Sequence, residues 1–193
     1  MTLSLVFVGL VIFAAIIVLV LVLLFWLIFL YNGLVSLKKK VENAWAQIDV
    51  QLKRRYDLIP NLVNTVKGYM KHEQETLEKV ISARAKAMSA NTMQEKVAAE
   101  GELGGFLSRL MAVVESYPEI KAAEGTKQLM EELTNTENRI GFARQLYNDL
   151  VMQFNTKISQ FPANLFAGIF HFQESPLFEV KEEQVREAPK VEF

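Results

Sequence analysis

The chain contains no cysteine and only two histidines among its 193 residues. Without cysteine there is no disulfide, no thiolate metal ligand and no cysteine nucleophile. The pair His72-Glu73 lacks the second histidine that a zinc-binding helix needs one turn later, and His171 is far away in sequence. The glycine-rich nucleotide-binding motifs and the serine nucleophile motif are missing too. We therefore expect no metal, no cofactor and no catalytic residues, and we interpret the chain as non-enzymatic.

An excess of either charge is also missing, because 21 Lys and Arg stand against 22 Asp and Glu, a formal net charge of -1. Proteins that bind nucleic acid through its phosphates usually carry a clear basic excess or a basic patch. The balance therefore predicts no nucleic-acid partner.

The first 37 residues contain no charged side chain, and the run from Leu3 to Tyr31 is almost continuously apolar. A helix needs about 20 apolar residues to cross a bilayer. The run lacks the basic start and the small-residue cleavage site of a secretory signal peptide, so we expect it to be retained. The sequence thus predicts a transmembrane helix over residues 1–33, with the lipid bilayer as its partner.

Basic residues follow the apolar run directly, at Lys38, Lys39 and Lys40. Because the cytoplasmic flanks of membrane helices are enriched in Lys and Arg, we expect a single-pass protein of the cell (inner) membrane. Its N-terminus would lie outside and its C-terminal domain in the cytoplasm. Trp26 and Tyr31 stand where aromatic rings anchor helices at the interface, although ordinary lipid-facing aromatics would look the same.

Beyond the membrane run, apolar residues recur at steps of three and four, which is typical of amphipathic helices. The pattern predicts one helix from Leu37 to Met88, a second from Met93 to Ser116 and a third from Glu119 to Phe161, and it contains no strand. We expect a helical bundle over residues 34–165. Residues 166–193 would form an aromatic segment against the bundle or the membrane, followed by an extended tail.

Pro60 lies inside the first of these helices. A proline in a helix interior removes one N–H donor and clashes with the carbonyl group four residues earlier, at a cost of about 3 kcal/mol. Either a kink in a continuous helix accommodates it, which we favour, or a break does, with Asp57 capping a new helix. In both arrangements Pro60 is a joint in a scaffold and not part of an active centre.

Polar residues form a second stripe on the third helix, beside its apolar face. Their spacing places four of them on one side of that helix, namely Glu137, Arg144, Asn148 and Asn155. Such a stripe is either a solvated face or a buried hydrogen-bond network that sets helix register. We favour the network, with Arg55, Asn61 and Asn64 of the first helix as its partners.

Several sequence motifs, taken together, resemble those of the LemA family. They are AWAQIDVQLKRRYDLIPNLVNTVKGYMKHE, SARAKAM, ESYPEIKA, TENRIGFARQLYNDLVMQFNT and QFPANLFAG, with the terminal VEF. The resemblance implies an all-α fold in which an N-terminal transmembrane helix continues into an antiparallel bundle of long helices. It supplies no reaction, catalytic residue or cofactor. Family members that take part in magnetosome formation, or are encoded beside membrane proteases, imply a scaffold or adaptor role at a membrane.

We therefore expect a self-associating scaffold or adaptor, a homo-oligomer that recruits other membrane proteins such as proteases. Two other functions stay open at this point. The segment NLFAGIFHF and the 13 phenylalanines would suit a protein that binds lipid or another hydrophobic ligand. The other possibility is a regulatory subunit of a membrane protease.

Overall fold

The computed structural model describes residues 2–70 and 73–179, with the backbone alone for residues 2–6. Within these ranges the chain forms helices and no strand, which confirms the all-α class. The helices are α1 (Thr2–Lys67), α2 (Gln74–Ser89), α3 (Met93–Glu115), α4 (Pro118–Ala122), α5 (Glu124–Ser159) and α6 (Ala163–Ile169). His72 lies outside the described residues, as does the part of the predicted tail beyond Glu179.

The first long helix ends earlier than the apolar spacing predicts. The expected helix over 37–88 is wrong because α1 stops at Lys67, where Gly68 follows, a residue that disfavours a helix interior. The N–H of Met70 still donates to the carbonyl of Val66 at 3.1 Å, and the Met70 side chain is buried. Apolar spacing therefore continues across a segment that is not helical.

The later helices follow the predicted positions with one division. α3 begins at the predicted residue because Thr92 and Glu95 form a reciprocal capping box, with the Thr92 hydroxyl accepting from the Glu95 N–H at 3.2 Å. The expected helix over 119–161 is two helices, because Ala123 has an extended backbone between α4 and α5.

The described chain divides into two compact units, and α1 and α5 contribute to both. The first unit comprises residues 1–42 and 150–175, and the second comprises residues 43–149 and 176–193. The two units are described separately below.

The first unit contains the apolar part of α1. This helix is long and apolar enough to cross a membrane, and its side chains from Phe7 to Phe29 are mostly exposed. Near the end of the apolar run, the ring of Trp26 lies 6.3 Å from that of Phe166 on α6. An aromatic cluster therefore joins the C-terminal part of the apolar run to α6.

The second unit has a conventional apolar core. Large side chains that are almost completely buried come from α1 (Ile48, Leu52, Ile59, Leu62), α2 (Val80), α3 (Leu103, Leu110) and α5 (Ile140). Burying a side chain of this kind contributes about 1.5–3 kcal/mol. Into this apolar core the sequence also places charged groups, and these form the candidate site.

Candidate functional site

The centre of the second unit contains a buried ion network built on Arg55. The side chain of Arg55, on α1, is 1% exposed, and it pairs with Glu100 of α3, whose side chain is completely buried. The other terminal nitrogen of Arg55 donates to the Glu137 carboxylate of α5 at 2.6 Å. One guanidinium group therefore ties three helices together at a single level.

Tyr56 completes the bonding of the buried carboxylate. Its hydroxyl donates to the second oxygen of Glu100, so both oxygens of that carboxylate have a partner. Burial raises the pKa of Tyr56 above its ordinary value, which keeps the hydroxyl protonated and able to donate. A buried carboxylate bonded through both oxygens joins α3 firmly to Arg55 and Tyr56 of α1.

Pro60 has a specific part in this arrangement. α1 runs without a break through Pro60, so the alternative in which Asp57 caps a new helix does not occur. Because proline has no N–H, the carbonyl of Tyr56, four residues earlier, is left without its helical donor. The Nε of Arg84, on α2, donates to that carbonyl at 2.7 Å. Pro60 thus leaves the Tyr56 carbonyl free to bind Arg84 of α2.

A cavity of about 350 Å³ lies beside the network. It is lined by Arg55 and Glu137 together with Gly104, Ser108 and Asn138, so polar groups of α3 and α5 face it. The Nε of Arg55 is buried and has no partner among the described residues. The network is therefore bordered by a small cavity whose lining combines these polar groups with Leu107, Met111 and Leu133.

The second polar feature is an amide clamp on α5. Asn148 accepts from the N–H of Phe178 at 2.8 Å and donates to its carbonyl at 3.1 Å. The hydroxyl of Tyr147 donates to the carbonyl of Pro176 at 2.8 Å. The side chain of Asn148 thus pairs with an extended backbone much as a neighbouring strand would.

Phe178 is the side chain that this clamp buries. It is 4% exposed, its ring lies 5.9 Å from that of Trp45 on α1, and the guanidinium of Arg144 stands 4.7 Å above it. Burial, and then the positive charge of Arg55, lower the pKa of Arg144 from its ordinary value. The ring provides a favourable cation–π contact for this partly buried cation.

Two predicted members of the network do not join it. Asn61 and Asn64 are exposed. At about 100° per residue they lie about 240° and 180° around α1 from Arg55, so they face away from it. Asn155 is placed in the first unit, where its amide accepts from the N–H of Ser175 and donates to its carbonyl, both at 2.9 Å.

The predicted membrane-interface residues all lie in the first unit. Trp26 contacts Phe166 as described, and the ring of Tyr31 lies 4.8 Å from that of Phe170. The three lysines are exposed, with Lys38 6.0 Å from the ring centre of Phe172, Lys39 paired with Glu42 at 2.6 Å, and Lys40 beside them. Their position at a membrane interface stays a prediction.

Sequence reasoning missed Glu100, the most buried acid of the network. A signal for it exists, because Glu100 stands at a position where α3 otherwise carries apolar residues, in the series Val97, Glu100, Leu103, Leu107, Leu110 and Val114. A charged residue in an apolar register predicts either a distortion or a buried partner. Across the described residues no group of three or more His, Cys, Asp or Glu is placed to hold a metal.

These features define an all-α, membrane-associated class of protein, with a helix long enough to span a bilayer and a helical unit held by a buried ion network. The LemA family model matches residues 44–193. The chain belongs to the LemA family.

Named relatives are similar over most of the chain. They include magnetosome protein MamQ 2 of Paramagnetospirillum magneticum and magnetosome protein MamQ of Magnetospirillum gryphiswaldense, each 25% identical over 78% of this chain. Protein LemA of Metamycoplasma hominis is 26% identical over 78% of this chain and 69% of its own length. The chain spans 65% of the length of the MamQ relatives.

Proposed function

We propose that this protein is a non-enzymatic scaffold or adaptor that is anchored in the bacterial inner membrane by α1 and self-associates through its helical unit. The observation that carries the proposal is a groove between α1 and α5 in the second unit. Three large apolar side chains line it, and each is well exposed: Val50 (63%), Phe142 (73%) and Leu146 (44%).

The groove has the composition of a protein-binding surface. It encloses about 480 Å³ and combines its apolar residues with Arg139 and the amide of Gln51. The side-chain oxygen of Gln51 is buried without a partner among the described residues, so an incoming donor would satisfy it. Exposed apolar side chains that are grouped and bordered by polar groups are typical of interaction sites.

A second copy of the chain is the occupant we favour. Copies anchored in the same membrane are confined to two dimensions, which raises the chance that they meet. Symmetry then allows the groove of one copy to meet that of another, as in most homo-oligomers. Apolar contacts such as Phe142 would bury their exposed surface there.

Native mass spectrometry of the full chain in lipid nanodiscs tests self-association. We expect an oligomer for the unchanged chain and a monomer for Phe142→Asp. Ile81→Asp is the matched control, because Ile81 is also an exposed apolar residue (48%) but lies on α2, outside the groove. A monomeric unchanged chain, or equal effects of the two substitutions, would overturn this part of the proposal.

The proposed orientation places the N-terminus outside and the second unit in the cytoplasm. The exposed Lys38, Lys39 and Lys40 after the apolar run support it, since basic flanks stay on the cytoplasmic side. Protease added to intact spheroplasts should leave residues beyond Lys40 uncut, and cut them only after the membrane is opened. Cleavage in intact spheroplasts would show the reverse orientation.

A further inference from the structure

The segment around α6 carries an apolar stripe that no part of the described chain covers. Leu165 and Ile169 are one turn apart on α6, so they lie along one face of it, and Phe161 stands two residues before the helix begins. The exposed fractions of Phe161, Leu165 and Ile169 are 79, 58 and 66%. The opposite face of α6 is buried through Ala163 and Ala167. α6 thus presents Leu165 and Ile169 outward, while Ala163 and Ala167 are buried.

The segment is also free of charge over its whole length. Between Lys157 and Glu174 no residue carries a formal charge, with His171 counted as neutral. An exposed surface on a water-soluble unit normally has charged groups interspersed among apolar ones. The composition here resembles that of the apolar run of α1.

Ring contacts fix where the segment lies along α1. Phe166 contacts Trp26, and Phe170 contacts Tyr31, both near the end of the apolar run. Trp26 precedes the first charge, Lys38, by twelve residues, which is about 18 Å of helix. The segment is therefore positioned beside the last uncharged turns of α1.

The uncharged part of α1 is longer than a bilayer core requires. From Thr2 to Leu37 it extends about 54 Å at 1.5 Å per residue, against a hydrocarbon thickness of about 30 Å. Tilting takes up part of such a surplus, and the rest extends into the interfacial layer at one or both ends. The α6 segment lies beside the end of this uncharged part that is nearer to Lys38.

We propose that residues 161–170 form a second membrane contact, lying in the interface of the leaflet next to Lys38 with the Phe161, Leu165 and Ile169 stripe among the acyl chains. The occupant is lipid because the stripe continues the exposed apolar surface of α1 at the same level. Lys157, one turn before the segment, has a stem long enough to reach the headgroups. The inference rests on α1 spanning the membrane, which belongs to the proposed function.

Spin labelling tests this directly, because the chain has no cysteine and each introduced thiol is unique. Single variants Leu165→Cys and Ile169→Cys are labelled in the full chain and placed in phosphatidylethanolamine–phosphatidylglycerol vesicles. Leu19→Cys reports on the span, and Gln128→Cys, at an exposed position of α5, reports on water. Collision with oxygen, which concentrates in acyl chains, is compared with collision with a water-soluble nickel chelate.

We expect oxygen to relax the labels at 165 and 169 several-fold more than the chelate does, as at 19, with the opposite ratio at 128. A chelate-dominated ratio at 165 and 169 beside a lipid-like ratio at 19 would overturn the inference and leave the anchor intact. Low collision with both reagents at 165 and 169 would overturn it in favour of a protein contact. A water-like ratio at 19 would overturn the anchor itself.

Discussion

Replacing Glu100 by leucine should destabilise the second unit more than any change of an exposed ion pair. The substitution leaves Arg55 buried with Glu137 alone and removes the acceptor of the Tyr56 hydroxyl. Removing one partner of a buried pair costs about 3–5 kcal/mol, because the remaining charge stays away from water. In a chain of this size about 2–4 °C of unfolding midpoint corresponds to 1 kcal/mol, so we expect a fall of roughly 6–20 °C.

The assay is thermal unfolding of the full chain in mild detergent, followed by far-UV circular dichroism. Lys86→Met serves as the matched control, because Lys86 and Glu102 form an ion pair at 2.5 Å between α2 and α3 that is exposed on both sides. Exposed pairs contribute about 0–1 kcal/mol, so the control should shift the midpoint by only a few degrees.

A double variant separates the charge effect from loss of packing. Arg55→Met together with Glu100→Leu removes both buried charges and keeps similar volume, and such replacements are often neutral or stabilising. We expect it to unfold close to the unchanged chain. The reasoning is refuted if Glu100→Leu matches Lys86→Met, or if the double variant loses as much as the two single changes added.

Three further predictions follow from the same unit. Arg84→Met should lower the free energy of unfolding by about 1–3 kcal/mol in the unchanged chain. In a Pro60→Ala background the loss should be much smaller, because the restored N–H of residue 60 pairs with the Tyr56 carbonyl. Equal losses in a denaturant double-mutant cycle would contradict this. Phe178→Ala should release the clamped segment, with faster chymotryptic cleavage near it; unchanged cleavage would mean that the ring does not hold the segment. Burial raises the pKa of Tyr56 and Tyr147 above the ordinary value of 10.0. The stability that this shift contributes is therefore full below pH 10.0 and is lost as the pH rises through the pKa of the folded state. The thermal unfolding midpoint should fall in alkali, and it should fall less steeply for Tyr56→Phe.

The apolar periodicity of the sequence predicts most of the fold, but not where the first long helix ends. The spacing of buried residues continues from Val66 through Met70 to Leu77, so the pattern is unbroken although residues 68–70 and residue 73 are not helical. Gly68 alone is a weak signal, since single glycines are tolerated in helices. The boundary depends on packing of the turn, which periodicity does not describe.

The candidate site was predictable only in part, since the pairing of Arg55 with Glu137 was predicted and its pairing with Glu100 was not. Arg55 is buried on α1, Glu137 is half-exposed on α5, and the two do form an ion pair. The partner of Asn148 is the backbone of Phe178, and a backbone amide carries no mark in the sequence. In a sequence, polar side chains that bind backbone groups therefore have the same pattern as a solvated helix face. Only the structure shows which segment they bind.

The wide sequence separation of the Arg55 contacts bears on the order of folding. Arg55 is 45 residues from Glu100 and 82 residues from Glu137, whereas α1 and α2 are both complete by Ser89. During synthesis from the N-terminus, the first two helices exist before either carboxylate does. Closing an apolar interface over an unpaired guanidinium is unfavourable, so this level of the unit stays open until α3 and part of α5 have been made. The Arg55 network therefore assembles late, through contacts between residues far apart in sequence, after α1 has formed.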